Sequence, residues 1–228
     1  MSHIDSFFAS NYSLVDVAAD RGDFNWCLEF PGPFPEGFEQ LVSLLETALC
    51  LPAPSPFDLV LALDRYKIVD EELPPEQWEN TEAGELVHKA KYYLSSPQIQ
   101  RSARESLTRR MANAIWSHPV YRDAPYLISV PGSSGRGNST GEQIARLVAA
   151  ETGKQFIQTV GPARPQRKAD PTFDVSGLFS LPSMLSGSCV IIDDVWHTGA
   201  TCVEVARTAK LAGADAVYGL VAARTMRN

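Results

Sequence analysis

Cys189-Val-Ile-Ile-Asp-Asp-Val-Trp-His-Thr-Gly-Ala-Thr201 sets four apolar residues before two adjacent acids and a loop of small residues. An uninterrupted apolar run of this kind predicts a strand buried on both faces, as in a parallel sheet. Thr201-Cys-Val-Glu204 fits a capping box, which predicts that a helix opens here and runs to Gly213. A strand that hands over to a helix through such a loop places Asp193 and Asp194 at the carboxyl edge of the sheet, where open α/β sheets bind ligands.

The texture on either side agrees. Apolar runs at Tyr126 to Val130, Gln155 to Thr159, Ser188 to Ile192 and Ala216 to Ala223 alternate with helical stretches, the pattern of a parallel sheet with helical crossovers. Ser139-Thr-Gly-Glu142 is a second capping box, and Gly153 marks the end of its helix. Two helices fill 82–116, broken near Ser95-Ser96-Pro97 because proline disfavours helical geometry in the residue before it. The expected fold is therefore α/β, a mostly parallel, Rossmann-like sheet flanked by helices.

The first 81 residues are harder to read. Phe38, Leu41, Val42, Leu45 and Leu49 recur at helical spacing between Gly37 and Cys50, Asp58 to Asp64 has the look of a short strand, and the acidic stretch from Asp70 to Glu82 reads as a linker or surface loop. We expect a division into an N-terminal lobe over 1–81, an interaction element or hood for a homodimer or protein partner, and an α/β domain over 82–228.

Composition narrows the function classes. Net charge is −7 and the pI about 5.1, which opposes a surface that coats nucleic acid and leaves room for only a local basic patch. Cys27, Cys50, Cys189 and Cys202 form no C-x-x-C pair and have no histidine at ligand spacing, so a structural zinc site is not expected. The first residues lack a basic segment followed by an apolar one, and no apolar run reaches the ~20 residues that span a bilayer, so the expectation is a cytoplasmic protein with no membrane contact.

Chemistry points to a phosphorylated sugar. Carboxylates only accept hydrogen bonds, so Asp193 and Asp194 suit a diol such as the ribose 2′- and 3′-hydroxyls. His197 to Thr201 offers hydroxyls and open N–H groups at a helix N-terminus, where the peptide dipoles favour a phosphate, and Gly199 permits close backbone approach. Val130-Pro-Gly-Ser-Ser-Gly-Arg-Gly-Asn138 lies between a strand and a capped helix. It reads either as a pyrophosphate wrap through Pro131, Gly132 and Ser133 with Arg136 supplying charge, or as a glycine-rich surface connection.

The acidic strand and loop match the pattern of apolar residues followed by D-D-x-x-x-T-G-x-T, and in this the chain resembles the type I phosphoribosyltransferases. Over about residues 82–225 it further resembles their competence-associated ComF branch, through His88-Lys-Ala-Lys-Tyr-Tyr93, Ser129-Val-Pro-Gly132, Arg136-Gly-Asn138, Phe173 to Phe179 and Ala223-Arg-Thr225 in the same order. The resemblance implies that Asp193 and Asp194 contact the ribose hydroxyls and that Thr198, Gly199, Ala200 and Thr201 cradle the 5′-phosphate with the His197 backbone. It also implies a phosphoribosyl pyrophosphate substrate, pyrophosphate release, and Mg²⁺ held by Asp193 and Asp194 directly or through water and the ribose.

It makes Arg164, Arg167 and Lys168, in a proline-broken basic segment, candidates for a loop that closes over the site, the alternative being a solvated linker. His88, Lys89 and Lys91 match a basic helix end in the relatives; the segment reads first as a solvated helix face, with Lys91 the candidate of the three to face the pyrophosphate. The acceptor is unidentified, because the N-terminal segment departs from the relatives' cysteine-rich ribbon and Asp170 and Asp174 replace their arginine and asparagine. The rival class is a non-catalytic regulator that binds a nucleotide or sugar phosphate, or a subunit of a DNA-uptake or defence assembly.

Overall fold

The computed structural model describes residues 3–4, 12–16, 26–33, 36–91, 96–165, 170 and 172–226. Its elements in chain order are β1 (Ser13–Asp16), β2 (Trp26–Glu29), α1 (Phe38–Thr47), β3 (Leu49–Leu51), β4 (Leu59–Arg65), α2 (Glu82–Lys91), α3 (Pro97–Ser117), α4 (Pro119–Asp123), β5 (Tyr126–Ser129), α5 (Thr140–Thr152), β6 (Gln155–Gln158), β7 (Gly187–Trp196), α6 (Ala200–Leu211) and β8 (Ala214–Arg224). Six strands form one sheet in the order β3-β4-β8-β7-β5-β6, every pairing parallel except that of the edge strand β3. β1 and β2 make a separate antiparallel pair. No helix among the described residues is long and apolar enough to cross a membrane.

Strand alternation assigns the two faces of the sheet. Val190 and Ile192 pack with Leu127, Leu220 and the helices on one side, including Leu107 and Ile115 of α3 and Ile144 of α5. Cys189 and Ile191 pack with Ile128, Val217 and Val221 against Val205 and Ala209 of α6 on the other. With both faces covered, the strands carry the near-continuous apolar sequence that a parallel sheet demands.

Several local expectations hold. Ser96 caps α3 with Pro97 in its first turn, Ser139 and Glu142 form the reciprocal capping box of α5, and Gly153 ends that helix at φ +68°.

Three need correcting. β7 does not stop at Ile192: Asp193 pairs in register with Val221 and Val195 with Ala223, so the acids lie within the strand. The capping box at Thr201 does not form, because Gly199 takes the cap position in the left-handed region and Glu204, buried, instead accepts the Gly177 N–H at 2.8 Å and pairs with Arg207. The division at residue 82 does not match the packing, since β4 pairs with β8 along Leu59 to Arg65 and Leu44 and Leu45 of α1 join the core that α3 covers.

His118, with no exposure, stacks on Tyr121 at 4.5 Å between ring centroids, and its Nε2 lies 3.0 Å from His3 Nδ1, one nitrogen donating to the other. Burial lowers His118 to about 3, with the His3 charge adding to it, and burial lowers His3 to about 4 against an opposing backbone hydrogen bond to Val60. Both histidines fold neutral, so their stabilising contribution is complete above the ordinary histidine range and is lost as pH falls through it toward those values. Urea unfolding at pH 4.5 is expected to show stability lower by on the order of 2 kcal/mol than at pH 7.5, with a smaller drop in His118→Phe; equal drops in the two proteins would rule out the pair as the cause.

Candidate active site

β4, β8, β7 and β5 run parallel and end along one edge, and a cavity of about 900 Å³ opens there. Asp193 and Asp194 line it, and both approach Gly141 in the first turn of α5. A Cβ at Gly141 would stand 2.8 Å from Asp193 Oδ1 and 3.7 Å from Asp194 Cγ, so only glycine lets the helix start this close to the acids. Asp193 Oδ1 accepts the Asp194 N–H at 2.9 Å, and the Cys202 thiol donates to Asp193 Oδ2 at 3.5 Å.

Lys91, the last residue of α2, reaches into the cavity and places Nζ 2.7 Å from Asp194 Oδ1. Lys89, two residues away, points elsewhere and pairs with Glu85 at 3.3 Å, as the helical spacing requires. Burial and then the Asp194 charge push the Asp193 carboxyl up to about 7, with Lys91 opposing. Burial by itself would lower the Lys91 ammonium, but the two carboxylates outweigh it and the net shift is upward. The site therefore holds two acids whose mutual repulsion one lysine only partly offsets.

Thr198, Gly199, Ala200 and Thr201 line the same cavity, with His197 beside them. No side chain caps α6, which leaves its first-turn amides and the positive end of its dipole directed at the opening. The Ala200 N–H makes a long contact to Thr198 Oγ1 at 3.4 Å. Trp196 holds the loop from beneath: its buried indole meets the Phe57 ring at 5.9 Å and fills the space where a Cβ at Gly199, φ +74°, would fall. His197 Nδ1 and Thr225 Oγ1 are 2.8 Å apart, and the Thr225 N–H donates to Trp196 O at 3.0 Å, tying the loop to the end of β8.

The glycine loop forms the far wall. Pro131, Gly132 and Ser133 face the cavity, but Arg136 does not line it; its side chain is exposed, and its N–H turns to Ser134 Oγ at 3.4 Å. The cation at this wall is Arg164, which donates to Pro131 O at 2.7 Å and Gly132 O at 3.0 Å while lying 5.0 Å over the Phe179 ring. Rather than an arm that closes from outside, Arg164 is a strut under the loop, because two carbonyls and an aromatic face already hold its planar fork. Glu142 Oε2 accepts from Ser139 N–H at 2.8 Å and, more weakly, from Gly132 N–H at 3.4 Å. Arg167 and Lys168 lie outside the described residues.

Sequence reasoning missed one wall. Tyr66, Lys67, Pro75 and Trp78 also line the cavity, the last two from the acidic stretch Asp70 to Glu82 that reads in sequence as a linker or surface loop. An aromatic residue and a lysine directly after an apolar strand, with a lone tryptophan further on, were the available signal. Among the described residues no group of three or more His, Cys, Asp or Glu is placed to hold a metal ion; the two acids suit a hard divalent cation that takes one or two carboxylates and draws its other ligands from a phosphate and water.

No protein-family model matches the chain, and no curated protein matches it. Among solved structures it is similar to a purine phosphoribosyltransferase from Pyrococcus horikoshii Ot3, with TM-score 0.32, 15% identity, and coverage of 53% of this chain and 87% of that one. It is likewise similar to the adenine phosphoribosyltransferase from Leishmania donovani, with TM-score 0.35, 12% identity, and coverage of 84% and 82%. Likeness at this level carries no argument about chemistry, which rests on the geometry above.

Proposed function

We propose that this protein is a phosphoribosyltransferase that binds phosphoribosyl pyrophosphate with Mg²⁺ and transfers the phosphoribosyl group to an acceptor. One observation carries the reading: the paired acids of β7 and the uncapped start of α6 open into a single cavity whose opposite wall is the glycine loop. A 5′-phosphate fits the amides of Gly199 to Thr201. The acids accept from the ribose hydroxyls, and the pyrophosphate lies toward Pro131 to Ser133.

The chain's part in the reaction is positioning and charge compensation. An acceptor nitrogen bonds to C1 of the sugar as the C1–O bond to pyrophosphate breaks, and the electron pair leaves with that oxygen. Lys91, bonded to Asp194, offsets part of the acids' charge before substrate arrives and would turn its ammonium to the pyrophosphate afterwards. Mg²⁺, held by Asp193 and Asp194 with phosphate oxygens, would neutralise charge on the leaving group.

Calorimetry with phosphoribosyl pyrophosphate and MgCl₂ tests this directly. Thr198 is exposed, so Thr198→Trp should fold normally, fill the phosphate cradle and weaken binding by at least about tenfold. Equal heats from a folded variant and the wild type would defeat the site assignment, and binding without pyrophosphate release across a broad acceptor panel would favour a regulator over an enzyme.

A further inference from the structure

We infer that the cleft between α1 and α3 is a second ligand site and that it takes a small zwitterion with an apolar body, in the class of a free α-amino acid. The cleft shares no lining residue with the cavity at the strand ends, so it stands or falls independently of phosphoribosyl transfer.

α1 and α3 cover the same face of the sheet, where Leu44 and Leu45 of one and Leu107 and Ile115 of the other join a common core. They do not close over it completely. A cavity of about 500 Å³ opens between them, and Leu63 of β4 lines it together with Leu44, Ala48 and Ala114, a volume and an apolar base that suit a small ligand. The sides are polar. Gln40, Ser43 and Thr47 border the cleft from α1, and Arg110, Asn113 and Ser117 from α3, each set spaced i, i+3, i+7 so that one edge of each helix faces the gap.

Few of these polar groups are occupied. Thr47 Oγ1 donates to its own helix, at 3.2 Å from Leu44 O. The side chains of Gln40, Ser43, Asn113 and Ser117 make no hydrogen bond among the described residues. Arg110 has a poor partner: its Nη1, buried, lies 3.0 Å from Glu82 Oε2 but without the alignment of a hydrogen bond, and the Glu82 side chain is 78% exposed. An exposed acid holds a guanidinium weakly, and the planar fork of N–H groups suits a carboxylate better than one misaligned contact does.

Charge then selects the class. Among the described residues that line the cleft, Glu39 is the one acid and Arg110 the one base, and Arg110 pairs with Glu82 rather than with Glu39. A simple anion would meet Glu39 and a simple cation would meet Arg110; a ligand with one charge of each sign satisfies both. An α-amino acid carries its two charges at one end and leaves its side chain for the apolar base of Leu44, Leu63 and Ala114. The amides and hydroxyls along the two helices then take up its remaining N–H and oxygen groups.

Ligand-observed NMR titration of the full-length protein with four probes separates these contributions. L-Leucine has all three features, glycine lacks the apolar body, N-acetyl-L-leucine lacks the ammonium, and L-leucinamide lacks the carboxylate. L-Leucine is expected to bind wild type at least about fivefold better than each of the others. Arg110→Gln should erase its preference over L-leucinamide, and Glu39→Gln, at an exposed position, its preference over N-acetyl-L-leucine. Should Arg110→Gln fail to fold, Glu39→Gln decides by itself. Survival of the preferences in the folded variants, or no saturable binding of L-leucine by wild type, would overturn the inference. Displacement of L-leucine by ribose 5-phosphate would place it in the cavity at the strand ends, and a wild-type dimer that Ser43→Arg makes monomeric would assign the cleft to a second copy of the chain; either result has the same consequence.

Discussion

Gly199→Ala is expected to abolish phosphate binding and to destabilise the fold by at least about 2 kcal/mol more than Gly153→Ala. The two glycines have nearly the same backbone, φ +74° and +68°, so the left-handed strain of an added Cβ, on the order of 1–2 kcal/mol, is common to both. Their surroundings differ. Nothing lies within 4 Å of the Cβ position at Gly153, whereas at Gly199 the Trp196 indole occupies it. Trp196 cannot swing away cheaply, being 5% exposed and packed against Phe57. The loop must lift instead, which moves the first-turn amides of α6 away from one another.

Urea unfolding of the two variants isolates the clash from the strain, and calorimetry with ribose 5-phosphate reads the cradle. Adding Trp196→Phe to Gly199→Ala should recover part of the lost stability, because the smaller ring leaves room for the methyl. Equal destabilisation at residues 153 and 199 would show that Trp196 does not brace the loop.

How much of this was legible in the sequence follows the range of the interactions involved. The apolar strand through Cys189, the helix that follows it and the capping box at Ser139 are local patterns, fixed within a few residues, and they form, although the strand runs on past the acids to Trp196 and the helix already opens at Ala200. The box at Thr201 shows the limit of local reading: its residues are right, but Glu204 is taken by the N–H of Gly177, 27 positions away, and a left-handed Gly199 already starts the helix. The choice between Arg136 and Arg164 is of the same kind. Arg136 sits in a glycine-rich loop and Arg164 in a proline-broken basic one, and the tertiary approach of Phe179 and the Pro131 and Gly132 carbonyls decides that Arg164 turns inward. Likewise, nothing near Leu59 announces its pairing with Tyr218, so the first 81 residues read as a lobe apart, and the wall that Tyr66 and Trp78 give the cavity was hidden with them. Lys91 was half legible: helical spacing separates it from Lys89, and the structure supplies Asp194 as its partner.

Asp193→Asn should slow phosphoribosyl transfer by about 100- to 1000-fold while making the fold more stable by on the order of 1–3 kcal/mol. The two effects have one cause. Asp193 is half-buried beside the buried Asp194 carboxylate, and among the described residues the cation hydrogen-bonded to the pair is Lys91, which bonds to Asp194. A neutral amide of the same shape removes the repulsion and can still accept the Asp194 N–H, so folding gains. Yet the charge that holds the sugar hydroxyls and the cation is lost, so catalysis suffers. Asp194→Asn should differ, because it strips Lys91 of its direct partner and leaves an ammonium paired less closely with Asp193; stability should fall or stay level as activity drops. An ion-pair network that served structure alone would show the opposite order, with both substitutions destabilising and neither affecting ligand binding. Chemical denaturation paired with calorimetry on phosphoribosyl pyrophosphate and MgCl₂ distinguishes the two: a stabilised Asp193→Asn protein that no longer binds is the mark of acids retained for a ligand at the fold's expense.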